Sequence, residues 1–579
     1  MKTVEHLENL SPYVPIEPFE VLSSRYGIPI DSIIKMDANE NPYGLSPRAR
    51  QALASLEFPH IYPDPESRAL RQALQEHTGV PAEFLMAGSG ADELIDLLLR
   101  VLLEPGDTVL NLPPTFGMYP FDTLLNTGQL VEVKRREDFS LDLPALRDAV
   151  GKYAPKVIFA THPNNPDGRL LNQEELNALL DLPALVVIDE AYIEFADNAG
   201  RLGEDISLIQ QVPQRENLVV LRTFSKWAGL AGLRVGYGLF PAWLMPALWK
   251  AKQPYNVNVA GTAAAIASIQ DADYLAGIVA ALREERGRLW QGLAAVPFLS
   301  PLPSQSNFIL CKVVNSPFSA GQIKDKLAAC GILLRLYNTP LLQDYVRVSV
   351  GKPEHTDILL AALTDLSAGQ NPVRRDLFGK MEGGRTSQGR RSTRETQIEW
   401  ALNIDGSGKH QIGTGMPFLD HMLTQISVHG LFDLRLKARG DLHIDPHHTM
   451  EDIGLVLGQA FQEALGSRAG IVRMAVMEVP MDESLARVTL DFSGRPYAVI
   501  QVDWHAPQVG GIPTSLFAHF LESFAFQARC NLHVQVPYGQ DDHHQAEAIF
   551  KALARALNVA TRIDPRRAGV VPSSKGVLF

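Results

Sequence analysis

Two matching histidine clusters in the last third of this chain restrict its fold more than any other feature of the sequence. In each cluster two adjacent histidines are followed by a glutamate, and one further histidine lies upstream in similar apolar surroundings. The eight residues are His421, His447, His448, Glu451, His519, His543, His544 and Glu547. A pattern that repeats in matching surroundings indicates that one half-domain is duplicated within a single domain.

The spacing inside each cluster is typical of metal ligands on a helix. The glutamate follows the first histidine by four residues and the second by three, so all three side chains can lean toward one face. Adjacent histidines point about 100° apart on a helix, so we expect the two members of each pair to bind different metal ions. A solvated, histidine-rich surface is the alternative, and the repetition favours a metal site.

Length, charge and cysteine usage limit the class of protein. A chain of 579 residues is long enough for two or more domains with separate cores. A net charge of -12 without a long basic run does not favour nucleic acid as a partner. Three scattered cysteines form no disulfide framework, which fits a cytoplasmic location. The first residues lack an apolar signal core and no apolar run is long enough for a bilayer, so we expect no membrane partner.

A segment rich in Gly, Pro, Ser and charged residues is the best candidate for a domain boundary. Its composition is typical of a linker at 367–385 and predicts domains at 1–366 and 386–579. Upstream of it, short β-rich runs alternate with helical stretches, which predicts a mainly parallel α/β domain. Downstream, strands pair around longer helices, which predicts a duplicated α+β sandwich.

The chemistry of the first domain centres on the segment from Thr223 to Arg234. Its lysine, Lys226, stands next to a hydroxyl residue and eight residues before an arginine, with glycines between them. The pattern suits an aldehyde cofactor that carries a phosphate: Lys226 would condense with the aldehyde, while Ser225 and Arg234 would bind the phosphate. By itself the segment is equally compatible with a glycine-containing loop that exposes a lysine.

Three other segments favour the cofactor. Asp189 ends an apolar strand, where ligands of open α/β sheets bind, and can keep a pyridine nitrogen protonated. Asn165 supplies an amide for a ring hydroxyl, and the glycines before Ala91 and Asp92 leave backbone N–H groups free at a helix N-terminus. Each segment alone has an alternative interpretation as a turn or a cap. In this order they resemble the fold-type I aminotransferases, which use pyridoxal 5'-phosphate.

Over about residues 5 to 365 the resemblance narrows to the histidinol-phosphate aminotransferases. It rests on motifs that include Asn39-Glu-Asn-Pro-Tyr-Gly, Pro113-Pro-Thr-Phe116 and Asp189-Glu-Ala-Tyr192. The resemblance implies that Lys226 is catalytic. It also implies ten cofactor-binding residues, namely Tyr62, Ala91, Asp92, Phe116, Asn165, Asp189, Tyr192, Ser225, Lys226 and Arg234. Of these, Tyr62 would reach the cofactor of a neighbouring subunit. The implied substrate-binding residues are Tyr13, Arg335 and Arg347. The family usually has tyrosine where Phe116 stands, so the ring can stack on the pyridine but the hydroxyl is lost.

From about residue 386 onward the chain resembles imidazoleglycerol-phosphate dehydratases, in Arg394-Glu395-Thr, Phe418-Leu-Asp-His-Met-Leu, both clusters and Pro572-Ser-Ser-Lys575-Gly. The resemblance implies a ribosomal S5 domain 2-like duplicated fold, two Mn²⁺ ions bound between subunits, and a 24-mer. Metal ions that hold the substrate imidazole would let it expel a hydroxyl while one carboxylate, Glu395, moves protons. Without the resemblance, the sequence indicates only that Glu395 is one more exposed glutamate. The implied phosphate-binding residues are Arg473, Arg495, Lys551, Ser573, Ser574 and Lys575.

The two resemblances fit one another, because the product of the dehydratase, imidazole-acetol phosphate, is the keto substrate of the aminotransferase. We therefore expect a bifunctional enzyme of histidine biosynthesis that uses imidazoleglycerol phosphate and glutamate. Its expected assembly is a homo-oligomer with transferase dimers around a dehydratase cage. One alternative is the same dehydratase joined to a transferase with aromatic amino acid specificity. Another, a metal-binding module on an inactive scaffold, is disfavoured by the presence of Lys226 and Asp189.

Overall fold

The computed structural model of the chain describes residues 4–8, 10, 17–28, 30–197, 200–374, 384–567 and 569–574. The chain divides into two compact units, Met1–Leu377 and Phe378–Phe579. This division falls inside the segment 367–385, whose limits as a linker stay a prediction.

The N-terminal unit is built on a seven-stranded sheet with strand order β2-β8-β7-β6-β5-β3-β4 and a five-stranded sheet with order β1-β11-β12-β10-β9. In the larger sheet β8 runs in the opposite direction to the other six strands, which are parallel to one another, and this confirms the predicted α/β class. The strands are β1 (Ile34–Met36), β2 (Leu85–Gly88), β3 (Thr108–Asn111), β4 (Gln129–Glu132), β5 (Val157–Thr161), β6 (Leu185–Asp189), β7 (Leu218–Thr223), β8 (Gly236–Leu239), β9 (Leu299–Pro301), β10 (Phe308–Val313), β11 (Ile332–Leu336) and β12 (Tyr345–Ser349).

Helices cover the strands of this unit, and β5, β6 and β7 are buried along their whole length, as the continuous apolar runs of parallel strands require. The α-helices are α1 (Glu5–Glu8), α2 (Phe19–Tyr26), α3 (Pro47–Ala54), α4 (Arg68–Thr78), α5 (Ala91–Leu102), α6 (Met118–Leu125), α7 (Leu143–Tyr153), α8 (Gln173–Leu180), α9 (Met245–Ala251), α10 (Val259–Gln270), α11 (Ala272–Ala294), α12 (Ala320–Ala328) and α13 (Pro353–Ser367). Short 3₁₀ turns lie at Ile30–Ser32, Ala82–Phe84, Ile193–Phe195, Arg201–Gly203, Ile209–Gln214 and Ala231–Leu233.

The C-terminal unit consists of two repeats with the same order of elements, three strands, a helix, a strand and a helix. In each repeat the first two strands and the fourth pair antiparallel, and the third runs parallel to the fourth. The first repeat contains β13 (Thr386–Ser392), β14 (Thr396–Asn403), β15 (His410–Gly413), α14 (Pro417–Gly430), β16 (Asp433–Gly440) and α15 (His447–Leu465). The second contains β17 (Met474–Met481), β18 (Ser484–Asp491), β19 (Tyr497–Gln501), the short pair β20 (Gln508–Val509) and β21 (Ile512–Pro513), α16 (Ser515–Ala528), β22 (Asn531–Tyr538) and α17 (Asp542–Thr561), with a 3₁₀ turn at Pro565–Arg567. The matching topology confirms the predicted duplication.

Two glycines let helices of different repeats approach closely. A Cβ atom added to Gly454 would lie 2.7 Å from the carbonyl oxygen of Phe520, and one added to Gly458 would lie 2.5 Å from that of Phe524. Because both obstacles are backbone atoms, a larger residue on α15 would force α16 away. This contact holds the histidine-bearing ends of the two helices at a fixed separation.

Among the described residues, no single helix combines the length and apolar character needed to cross a bilayer. One pair of consecutive helices, α10 and α11, satisfies these two criteria when taken together, with a bend of 82° between them.

The glycine contact predicts opposite effects for two Gly→Ala substitutions in helix interiors. Gly458→Ala should lower the free energy of unfolding of the C-terminal unit by about 1–3 kcal/mol, the usual cost of overpacking. Gly277→Ala in α11 is the matched control, because its added Cβ meets no atom within 4 Å. That change should stabilise the N-terminal unit by about 0.5–1 kcal/mol. Urea unfolding of the full chain, followed by circular dichroism, measures both, and a stabilised Gly458→Ala variant would contradict the close helix contact.

Candidate active sites

A cavity of about 360 Å³ lies where β5, β6 and β7 end in the N-terminal unit. The carboxyl ends of parallel strands are the usual ligand-binding edge of such a sheet. Nine of the ten predicted cofactor-binding residues line the cavity, namely Ala91, Asp92, Phe116, Asn165, Asp189, Tyr192, Ser225, Lys226 and Arg234. The tenth, Tyr62, is 79% exposed and stacks on Tyr255 with ring centroids 4.7 Å apart.

Lys226 and Asp189 are two titratable residues that line this cavity. The Lys226 Nζ donates a hydrogen bond to the Ala38 carbonyl oxygen at 3.2 Å. Burial, reinforced by the charge of Arg347, lowers the pKa of Lys226 to about 8. Burial also raises the pKa of Asp189 to about 6, although the hydrogen bond from Tyr119 opposes this shift. A lysine that loses its proton easily and a buried carboxylate therefore face one cavity.

Tyr119 is a site residue that the sequence did not single out. Its ring is fully buried against Phe159, and its hydroxyl donates a 2.6 Å hydrogen bond to one oxygen of Asp189. The backbone N–H of Ala191 donates to the other oxygen at 3.0 Å. Both oxygens are thus fixed in direction before any ligand binds. Tyr119 lies in the same segment as Phe116, but its position on α6 gave no sign of a contact with Asp189.

The predicted phosphate-binding end of the cavity lies at the N-terminus of α5. The Arg234 guanidinium donates a 2.7 Å hydrogen bond to Asp92 in the first turn of that helix. A Cβ atom at Gly90 would lie 2.6 Å from Nη2 of Arg234, and the φ of Gly90 is 83°, so only glycine leaves room for the arginine here. Free helix N–H groups and a guanidinium form a suitable site for a phosphate.

Arg335 and Arg347 stand opposite one another on β11 and β12. Arg347 donates to the Asn165 side chain at 2.6 Å and to the Asp37 carbonyl at 2.8 Å. The ring of Tyr337, a second residue that the sequence analysis missed, lies 5.9 Å from the Arg335 guanidinium carbon and 5.7 Å from that of Arg347. Arg335 lines a neighbouring cavity of about 250 Å³. Tyr13, the third predicted substrate-binding residue, lies outside the described residues.

Two groups of candidate metal ligands join residues of both repeats of the C-terminal unit. His421 on α14 meets His543 and Glu547 on α17, and His519 on α16 meets His447 and Glu451 on α15. Within each group the candidate ligand atoms lie within 4.8 Å of one another. Each group therefore takes one histidine from one repeat and a His–Glu pair from the other.

The second histidine of each pair, His448 or His544, does not join the group of candidate ligands that contains its glutamate. The rings of His447 and His448 are inclined at 81°, and those of His543 and His544 at 85°. Nδ1 of His448 lies 2.9 Å from Asp441, and Nδ1 of His544 lies 2.8 Å from Glu483. Helix rotation between adjacent residues explains the divergence, and two carboxylates that the sequence did not single out stabilise it.

The remaining predicted dehydratase residues lie at several places around these groups. Glu395 is exposed in the turn before β14. The hydrogen bond that His448 donates to Asp441 raises the pKa of His448, and the charge of Glu395 adds to this effect. Lys551 forms a 2.8 Å ion pair with Glu547. Arg473 pairs with Asp491 at 2.7 Å and donates to the Pro572 carbonyl, which precedes Ser573 and the exposed Ser574. Arg495 is exposed, and Lys575 lies outside the described residues.

Comparisons with known families agree with this division. The model of the class I and II aminotransferases matches residues 31–363, and the model of imidazoleglycerol-phosphate dehydratase matches residues 414–557.

Individual relatives resemble the N-terminal unit. The chloroplastic histidinol-phosphate aminotransferase of Nicotiana tabacum is 53% identical over 358 residues, which are 62% of this chain and 85% of the relative. The enzyme of the same name from Roseiflexus castenholzii is 48% identical over 62% of this chain and 96% of its own length. The crystal structure of histidinol-phosphate aminotransferase from Sinorhizobium meliloti in complex with pyridoxal-5'-phosphate matches with a TM-score of 0.58 and 29% identity, over 64% of this chain and 98% of that one. The chain therefore belongs to the histidinol-phosphate aminotransferase family in its N-terminal unit and carries an imidazoleglycerol-phosphate dehydratase domain in its C-terminal unit.

Proposed function

We propose that the chain catalyses two consecutive steps of histidine biosynthesis. The C-terminal unit removes water from imidazoleglycerol phosphate, and the N-terminal unit transfers an amino group from glutamate to the product, imidazole-acetol phosphate, to give histidinol phosphate. The observation that carries this proposal is that one chain matches two families whose reactions share a compound. Aromatic amino acid specificity is not favoured, because relatives 53% and 48% identical are named as histidinol-phosphate aminotransferases.

The residues of the first cavity fit pyridoxal 5'-phosphate. When bound, this cofactor supplies an electron sink for the carbon that loses a proton. Lys226 would hold its aldehyde carbon, Asp189 its ring nitrogen, and Ser225, Arg234 and the N-terminus of α5 its phosphate. With a pKa of about 8, the Lys226 amine can accept and return a proton at Nζ near neutral pH. Arg335 and Arg347 supply positive charge for the substrate phosphate and for the carboxylate of glutamate.

The donor set of the C-terminal unit fits divalent metal ions, and imidazole with carboxylate suits manganese. When bound, the metal ions supply Lewis-acid stabilisation of charge on the substrate imidazole. Glu395 is exposed and close to His448, a suitable place for a carboxylate that moves protons. Arg473, Arg495, Lys551, Ser573, Ser574 and Lys575 are the proposed ligands of the substrate phosphate.

The proposed assembly is a 24-mer dehydratase cage with transferase dimers attached to it. Two features support completion of the sites by neighbouring chains. His448 and His544 belong to neither triad of their own chain, and Tyr62 is largely exposed although it is a proposed cofactor ligand. A cytoplasmic location stays a prediction, since the Nicotiana relative is named as chloroplastic.

The direct test of this function is a coupled assay. Full-length protein with manganese and pyridoxal phosphate should convert imidazoleglycerol phosphate and glutamate to histidinol phosphate, detected by mass spectrometry. Phenylpyruvate as the amino acceptor is the comparison substrate and should react far more slowly. Efficient transamination of phenylpyruvate, with none of imidazole-acetol phosphate, would favour the aromatic alternative.

Lys226→Ala should abolish the borohydride-reducible absorbance band and transamination, because no other amine occupies its place in the cavity among the described residues that line it. Dehydration should continue at the wild-type rate, since the C-terminal unit has its own core. Lys250→Ala, an exposed lysine on α9, is the control and should leave both activities intact. Wild-type transaminase turnover in the Lys226→Ala protein would refute the assignment.

His448→Ala and His544→Ala should weaken metal binding to a similar extent, because the repeats contribute equivalent ligands. Loss of a ligand should cost more than the roughly 10- to 100-fold that loss of a supporting residue costs. His410→Ala, an exposed histidine on β15, is the control. Metal content is read by plasma mass spectrometry after dialysis. Two retained ions per chain and normal dehydration in both variants would exclude this ligand set.

A further inference from the structure

Two carboxylates hold the rings of His448 and His544 in the same way. The Nδ1 atom of His448 lies 2.9 Å from Oδ2 of Asp441, and the Nδ1 atom of His544 lies 2.8 Å from Oε2 of Glu483. These are the two predicted ligands that do not join a triad within their own chain. Each ring therefore has a carboxylate within hydrogen-bond distance of Nδ1, whereas Nε2 of His544 lies 3.9 Å from Oδ2 of the exposed Asp482, too far for a hydrogen bond.

The contact decides which nitrogen of each ring is available to a metal ion. An ionised carboxylate only accepts hydrogen bonds, so Nδ1 must carry the proton. In the neutral imidazole the lone pair then lies on Nε2, on the opposite side of the ring. Metal-binding histidines commonly have such a carboxylate partner, which fixes both the tautomer and the direction of the ring.

The two carboxylates come from different places in the repeats. Asp441 directly follows the fourth strand of the first repeat, β16, whereas Glu483 lies in the turn between the first two strands of the second, β17 and β18. Duplication of one ancestral contact does not account for this difference. Two different positions in the repeats thus provide the same carboxylate–histidine contact. This indicates that the orientation of the two histidine rings is important for function.

The turn that carries Glu483 has a counterpart in the first repeat, and the counterpart carries Glu395, between β13 and β14. The Glu395 carboxylate makes no hydrogen bond within the described residues, and its backbone N–H donates to Thr393 at 3.1 Å. Glu483, by contrast, is anchored, because its Oε1 accepts from the backbone N–H of Asp541 at 2.9 Å. Equivalent turns therefore provide one fixed carboxylate and one free carboxylate.

We infer that Asp441 and Glu483 are positioning residues that orient Nε2 of His448 and of His544 toward metal ions bound outside the triads of their own chain. The inference rests on the proposed metal site of the dehydratase unit. It adds that each of the two ions depends on its own carboxylate. In the first repeat Asp441, and not Glu395, accepts the hydrogen bond from the metal-binding histidine. The Glu395 carboxylate therefore stays available for the substrate.

The test is a titration of metal-free, full-length protein with Mn²⁺ alone, in which free Mn²⁺ is measured by electron paramagnetic resonance. Wild type should bind two ions per chain. Asp441→Ala and Glu483→Ala should each leave one ion bound with wild-type affinity and weaken the other by about 10- to 100-fold. The double variant should weaken both.

Two further substitutions separate position from charge. Asp445→Ala removes the same charge beside His448, but its carboxylate contacts the backbone N–H of His447 and not the His448 ring. The Asp445→Ala protein should bind Mn²⁺ with nearly the affinity of the wild-type protein. Asp441→Asn keeps an oxygen that accepts from Nδ1, so it should recover most of the affinity lost in Asp441→Ala. If the alanine variant does not fold, as judged by circular dichroism, Asp441→Leu replaces it as a bulkier residue without an acceptor.

The outcomes distinguish the inference from the function on which it rests. Wild-type Mn²⁺ binding by Asp441→Ala and Glu483→Ala, or by the leucine variant, would overturn the positioning role and leave the metal site standing. If Asp445→Ala weakens Mn²⁺ binding as much as Asp441→Ala does, the effect is due to charge, and the positioning role is also overturned. A wild-type protein that binds no Mn²⁺ would reject the metal site itself, and the inference with it.

Discussion

Contacts between the two repeats of the C-terminal unit determine most of what that unit can do. Glu451 of the first repeat lies 3.3 Å from His519 of the second, and Glu547 of the second lies 3.3 Å from His421 of the first. A single repeat thus holds no complete triad. The triads exist only because helices of different repeats pack at a fixed distance. For the triad on α15 and α16, Gly458 permits that distance by bringing no Cβ against the backbone of α16.

The cavity of the N-terminal unit depends on a different constraint, the burial of charge. Asp189 is 4% exposed, and desolvation raises its pKa even though Tyr119 and the Ala191 N–H stabilise its ionised form. Desolvation lowers the pKa of Lys226 in the same cavity. Burial disfavours the charged form of either group, and the two shifts bring both pKa values closer to neutrality. Lys226 and Asp189 can therefore gain and lose protons at a pH close to neutral.

The two units therefore reach catalysis in different ways within one chain. In the first unit, desolvation shifts the pKa values of buried groups at the end of a parallel sheet. In the second, the repeats bring candidate metal ligands together in two equivalent groups. Each has its own apolar core, so a change in one site need not disturb the other. This separation is what makes single-site variants of the full chain informative about each reaction.

The sequence by itself determined the class of each fold, the duplication, and the residue types of both sites, because strand and helix periodicity and the repeated spacing are local properties. Lys226, Asp189 and both histidine clusters could be named for the same reason. Only the tertiary structure decided which side chains meet. The pairing of His421 with Glu547, the hydroxyl of Tyr119 on Asp189, and the carboxylates of Asp441 and Glu483 join residues whose contacts depend on how helices and turns pack. Spacing along one helix indicated that adjacent histidines diverge by about 100°. It did not identify Asp441 and Glu483, which belong to other elements, as the hydrogen-bond acceptors of the second histidine in each pair.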